Sequence, residues 1–228
     1  MLQELSEHII YLPTQVELER PMLAYIRGSR RSLAVDAGFS IKHLAQFYGE
    51  LDAAELPLPD VTALTHWHCD HSFALHAVHG ITVAHRRTNE YLREHAAKCT
   101  EPGYREYMFT GEYFAKEYEN GEPIVVKCAD ADFTGELDID LGGVNVTLFR
   151  TVSPHTDDTV CIFVHEDRVL FLGDAIYGDC DNDWRIDPER MRGLMDTIER
   201  CDCDLCVPSH AHAHPKQAML RYLQRKLK

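Results

Sequence analysis

The sequence predicts an α/β fold in which two β-sheets pack face to face with helices outside, an αββα sandwich. Three observations carry that expectation. Each half of the chain has strands first and helices after. Several strands are short and wholly apolar, the type buried inside a layered sheet, such as Val61 to Leu64 and Ile81 to Ala84. The length of 228 residues, 45% hydrophobic and 26% charged, suits a single domain over 1–228 with a sizeable core.

In order, Leu5 to Leu12 reads as a strand closed by Pro13. Met22 to Arg27 and Ser32 to Val35 form a hairpin around Gly28-Ser29-Arg30-Arg31. Asp36-Ala37-Gly38 turns the chain, and Ser40 caps a helix running to about Leu51. After the strand Val61 to Leu64, a polar loop from Thr65 to His71 precedes a helix from Ser72 to His79. Helical periodicity follows the strand Ile81 to Ala84, over Thr88 to Lys98 and Tyr104 to Tyr118. The second half predicts strands at Ile124 to Val126, Glu136 to Leu141, Val144 to Phe149, Val160 to Val164, Val169 to Leu172 and Leu205 to Val207. Its helices are Pro188 to Arg200 and Pro215 to Lys226.

A net charge of −14, from 23 basic and 37 acidic residues, repels polyphosphate backbones and argues against nucleic acid as a partner. The first residues have neither a basic nor an apolar signal region, and no apolar run approaches the roughly 20 residues needed to span a bilayer. The expectation is a cytoplasmic chain with no membrane partner and with its eight cysteines reduced.

The most informative string is His66-Trp67-His68-Cys69-Asp70-His71, three imidazoles and a carboxylate directly after a buried strand. His66 and His68 alternate, so an extended segment points both the same way. Imidazole and carboxylate together suit zinc, iron or manganese. Further donors lie at strand ends: His155 in Ser-Pro-His-Thr-Asp-Asp, Asp174 in Phe-Leu-Gly-Asp, and His210 in Val-Pro-Ser-His. The ordinary reading of each is a surface or capping residue. Clustering so many polar groups without a ligand is costly, which favours metal.

His-x-His-x-Asp-His, followed in order by a His, an Asp after Phe-Leu-Gly and a late His in Pro-x-His, resembles the metallo-β-lactamase superfamily, in its glyoxalase II-like or lactonase-like branch. The resemblance runs from residue 66 to residue 210 and implies roles. His66, His68 and His155 would hold one divalent ion, Asp70, His71 and His210 a second, and Asp174 would bridge them. Zinc is expected first, with iron or manganese as alternatives. A metal-bridging hydroxide would attack an ester, thioester or lactone in a small-molecule substrate. Asp70 would orient the nucleophile and carry a proton to the leaving group. Resemblance to the lactonase branch would make Tyr177 a hydrogen-bond donor to the substrate oxygen; a packed aromatic at a strand end is the plainer reading. The second functional reading is an iron-dependent oxygenase of the same fold, resembling persulfide dioxygenases; a donor set for two ions disfavours it.

The sequence also departs from the family pattern. Ser153-Pro154 replaces a glycine-rich turn before His155. Asp174 stands where the best-known zinc β-lactamases have a cysteine, which argues against antibiotic hydrolysis. Cys69 reads as a neighbour of the ligands, and His210 is favoured over His212 and His214. The acidic run Asp179, Asp181, Asp183 and Asp187 reads as a solvated turn. Cys201, Cys203 and Cys206 lack a second half and read as structural. The stripe Tyr104, Tyr107, Met108, Phe114 and Tyr118 reads as a core-facing helix, with a lid over the site or a homodimer face as alternatives.

Overall fold

The computed structural model describes residues 1–227. Seven strands form the first sheet, in sequence order: β1 (Gln3–Glu4), β2 (Ile9–Leu12), β3 (Leu23–Arg27), β4 (Ser32–Val35), β5 (Val61–Ala63), β6 (Ile81–His85) and β7 (Ala131–Phe133). β1 to β4 pair antiparallel and β4 to β7 parallel. The second sheet runs β13-β12-β11-β10-β9-β8, from β8 (Glu136–Asp140), β9 (Asn145–Arg150), β10 (Val160–Val164), β11 (Val169–Gly173), β12 (Leu205–Pro208) and β13 (His214–Pro215). Only β11 and β12 are parallel in it.

The alternation along the strands builds the layers. In β10, Val160, Ile162 and Val164 face the first sheet, while Cys161 and Phe163 face outward. In β11, Val169 and Phe171 point in, and Leu170 and Leu172 point out. The inward set meets Ile26, Leu33, Val35, Val61 and Val83 in one shared core. Outside the second sheet lie α6 (Pro188–Arg200) and α7 (Lys216–Lys226), which bury Met191, Leu194, Ile198, Met219 and Leu223. Outside the first lie α1 (Ile41–Ala53) and α3 (Arg86–Lys98). The αββα sandwich expected from the sequence is the fold observed. Among the described residues, no helix is long and apolar enough to cross a membrane.

Three local expectations need correction. Ile124 to Val126 is not a strand. Ile124 and Val126 pack against the aromatic cluster around Phe39 and Phe114, and the strand pairing with β6 is the more polar Ala131–Phe133. Helix formation near the histidine motif starts earlier than expected, as α2 (Cys69–Ser72), with a separate 3₁₀ turn at Leu75–Ala77. Asp70 and His71 therefore sit in a helical turn rather than a loop. The stretch from Tyr104 to Tyr118 is two helices, α4 (Tyr104–Met108) and α5 (Glu112–Glu117), broken at Thr110 and Gly111. Its inner face is core, as Phe114 and Tyr118 pack on Phe39 and Phe73. β1 and β13, two residues each, carry no periodic signal a sequence reading can use.

α5 is tied down by a buried ion pair. Arg20 donates from Nε and Nη2 to the Glu117 carboxylate at 2.9–3.1 Å, and the Ser40 hydroxyl also donates to it.

Candidate metal centre and cavity

The site lies at the C-terminal ends of β5, β11 and β12, where open α/β sheets present loops to ligands. β5 delivers His66 and, two residues on, His68 at the N-cap of α2. β11 ends in Gly173 at φ +55. A Cβ there would meet Thr65 Cβ at 2.8 Å, so glycine lets the strand close against Thr65 and present Asp174. β12 leads to His210, and the loop after β9 carries His155.

Two groups of donor atoms result. His66, His68 and His155 form one, and Asp70, His71, Asp174 and His210 the other, with the atoms of each group within 4.8 Å of one another. Asp174 Oδ2 links them. It is 3.8 Å from His155 Nε2, 3.5 Å from His71 Nε2 and 3.4 Å from His210 Nε2.

Four of the five imidazoles are turned by the partner of their other nitrogen. The Thr65 hydroxyl donates to Asp36, so its oxygen accepts from His66 Nδ1 at 3.1 Å. His155 Nδ1 donates to the Gly178 carbonyl at 2.8 Å. His68 Nε2 faces Cys180 Sγ at 3.7 Å. His71 Nδ1 donates to Asp36 Oδ2 at 2.8 Å. His66, His155 and His71 thus aim Nε2, and His68 aims Nδ1, at the two groups. Gly178 is required for its part: a Cβ there would strike the Trp184 carbonyl oxygen at 2.0 Å.

The donor set fits metal ions on its own chemistry. His155 Nε2, with Nδ1 committed to the Gly178 carbonyl, presents its lone pair inward, 2.9 Å from His68 Nδ1 and open to a cation. His66 Nε2, His71 Nε2 and Asp174 Oδ1 are buried without a hydrogen-bond partner. Such groups are costly unless a ligand satisfies them. Burial holds His66 far below the usual imidazole range and His68 at about 3, so both are neutral donors. In the second group burial opposes charge, but His71 and His210 outweigh it and keep Asp70 and Asp174 ionised. The same carboxylates push His210 up to about 10, a proton that an incoming cation would displace.

The groups open into a cavity of about 450 Å³. Phe39, Trp67, Tyr113, Tyr177 and Trp184 give it an aromatic wall. Trp184 stacks on His155 with centroids 6.2 Å apart. Tyr177 is 6.3 Å from the ring of His210, and burial keeps its phenol protonated.

All seven residues expected from the sequence converge here. Cys69 lines the cavity but joins neither donor group. His212 and His214 are exposed and join neither group. Asp179 and Asp187 cap their own segments, as a solvated turn would. Cys203 and Cys206 are buried under α6 and α7, 4.0 Å apart, and with Cys201 join no donor group among the described residues. Sequence reasoning missed Asp36, which it took only as part of a turn, and also Cys180 and Glu19. Asp36 stands at the end of the apolar strand β4, the same signal that singled out Asp174.

This architecture, with clustered imidazole and carboxylate donors at the ends of strands from both sheets, defines the class of protein. The sequence model of the metallo-beta-lactamase superfamily matches residues 24–210, and the chain belongs to that superfamily. Among curated proteins it is 23% identical over 197 residues to the human acyl-coenzyme A thioesterase MBLAC2, covering 77% of this chain and 64% of the relative. It is 26% identical over 226 residues to the Gallus gallus protein of the same name, covering 86% and 74%. The chain thus spans just under two thirds of the human relative's length. Among solved structures it resembles a metallo-beta-lactamase from Pontibacter korlensis, with TM-score 0.66, 16% identity and 98% of each chain covered. It also resembles the DIM-1 metallo-beta-lactamase, with TM-score 0.68, 16% identity, and 99% and 95% covered.

Proposed function

We propose that this chain is a binuclear metal-dependent hydrolase acting on an ester, thioester or lactone, with thioesters first. The observation that carries the reading is Asp174 Oδ2, within 3.8 Å of imidazoles from both donor groups. His66, His68 and His155 would hold one ion and Asp70, His71 and His210 the other, with Asp174 placed to serve both. The all-nitrogen and mixed donor sets suit zinc, with iron or manganese as the alternatives. The names of the MBLAC2 relatives support a thioester substrate.

When bound, two such ions supply a Lewis acid for the substrate oxygen and a nucleophile drawn from water at neutral pH. The protein's own groups do the rest. Asp70, held ionised by His71 and His210, orients the attacking water and passes its proton toward the leaving group. Tyr177, protonated and at the cavity wall, donates to the oxygen that gains negative charge. The aromatic wall excludes water from the acyl group and orients the scissile bond toward the donors. Asp36 and Gly178 fix the ligand rings.

The test is hydrolysis of a panel of acyl thioesters, esters and lactones, before and after chelation and reloading with zinc, manganese or iron. The proposal expects turnover lost on chelation, restored by one of these metals, and absent in Asp174→Ala. Turnover that survives full metal removal, or none on any of the three classes by the loaded protein, overturns it.

A further inference from the structure

Glu19 stands at the cavity rim on the side of the second donor group, and nothing in the chemistry above uses it. It is the tip of a tight loop closed by Gln15 and Arg20, whose backbones exchange hydrogen bonds at 3.0 and 3.2 Å. Arg20, its neighbour, is locked by the buried bidentate pair with Glu117. Met22 N donates to Ser209 O at 2.8 Å, fastening the same segment to the turn that carries His210. The loop backbone that carries Glu19 is therefore fixed, and its exposed side chain stands at the cavity rim.

Two features mark it as placed for use. Its backbone is left-handed, φ 52 and ψ 30, a conformation glutamate rarely adopts. Two other non-glycine residues with positive φ belong to the same site: Asp36, which accepts from His71, and Trp184 in the cavity wall. Residues in this region cluster where function fixes the backbone. Second, among the described residues the Glu19 carboxylate has no hydrogen-bond or ion-pair partner, although its surroundings include Asp70, Asp174 and His210.

We infer that Glu19 sets the charge specificity of the cavity: its carboxylate rejects acyl groups that carry a negative charge and leaves uncharged, apolar acyl chains as the substrate class. The aromatic wall favours the same choice, since Phe39, Trp67 and Tyr113 offer no cation to pair with an anionic chain. A second carboxylate brought to this rim is repelled by the like charge of Glu19 even across water. The inference rests on the proposed hydrolytic site but concerns a residue outside its donor set.

The experiment compares hexanoyl and adipoyl thioesters of N-acetylcysteamine, equal in chain length and different by one carboxylate, at pH 8 in wild type, Glu19→Gln and Glu19→Asn. Asparagine tolerates the left-handed backbone, so it controls for strain. The wild type is expected to prefer the hexanoyl ester, and both variants to narrow the kcat/KM ratio by about three- to five-fold, the order of one like-charge contact across water. Binding is read separately with the non-hydrolysable thioether analogues of the same two chains. Both tryptophans of the chain, Trp67 and Trp184, line the cavity, so quenching of their fluorescence reports occupancy. A narrowed Kd ratio in the variants supports the inference even if neither thioester is hydrolysed, an outcome that counts against the hydrolase reading alone. Unchanged ratios in both assays, with the thioethers binding, overturn it, as does failure of both thioethers to quench while the hexanoyl ester turns over at an unchanged ratio.

Discussion

His71 donates Nδ1–H to Asp36 Oδ2 at 2.8 Å, and both side chains are completely buried. The carboxylate also accepts from the Thr65 backbone N–H at 2.7 Å and from its hydroxyl. One anion thus orients His71 directly and His66 through Thr65. Asp36→Asn is expected to weaken metal binding by about ten- to a hundred-fold, the usual effect of losing an outer partner of a ligand histidine. Competition with a chromophoric chelator measures it. Wild-type affinity in the variant would show that Asp36 serves only the fold.

Tyr177→Phe removes a phenol and little volume. If the phenol donates to the developing negative charge, kcat falls about ten- to a hundred-fold with KM nearly unchanged. Metal content and unfolding midpoint should stay at wild-type values. Unchanged kcat would return Tyr177 to the role of a packed aromatic.

Asp158 gives a pH signature away from the donors. It is fully buried, and burial raises its carboxyl to about 6 from the usual 3.8. The folded state therefore holds a proton that the unfolded chain releases. The stability this contributes is complete below about pH 4 and is lost as pH rises through 6. Thr156 donates to Asp158 Oδ1 at 2.8 Å, which an asparagine oxygen can also accept. Asp158→Asn should match wild type near pH 4 and exceed it by about 2–3 kcal/mol at pH 8. Urea unfolding in excess chelator, compared at both pH values, checks the difference. Parallel curves for the two proteins would contradict the argument.

Breaking the Arg20–Glu117 pair from one side leaves a buried charge without its partner. Glu117→Ala is expected to lose about 3–5 kcal/mol of stability. Since α5 carries Tyr113 into the cavity wall, the variant should also bind the apolar thioether more weakly. A change under about 1 kcal/mol would mean that the loop relaxes to bring water to Arg20.

The sequence makes the sandwich legible wherever a strand is both apolar and next to its pairing partner, as in Ser32–Val35 and Val169–Gly173. It fails at Ile124 to Val126, because three apolar residues pack equally well as a strand or as a coil under a helix. It fails at Ala131–Phe133 because only Phe133 there is buried. The donor residues are legible through local density at 66–71 and through polar residues at strand ends. Asp36 carries the same strand-end signal but lies among ordinary turn residues. Glu19 has no local signal at all: its meaning depends on Asp70, Asp174 and His210, which only the fold brings beside it.

The most direct test of the binuclear centre is elemental analysis of the untagged protein, purified without added metal and again after reconstitution. The account predicts about two zinc, iron or manganese ions per chain, falling to about one or fewer in Asp174→Ala. One ion or none in the wild type, persisting after reconstitution with excess metal, would contradict it.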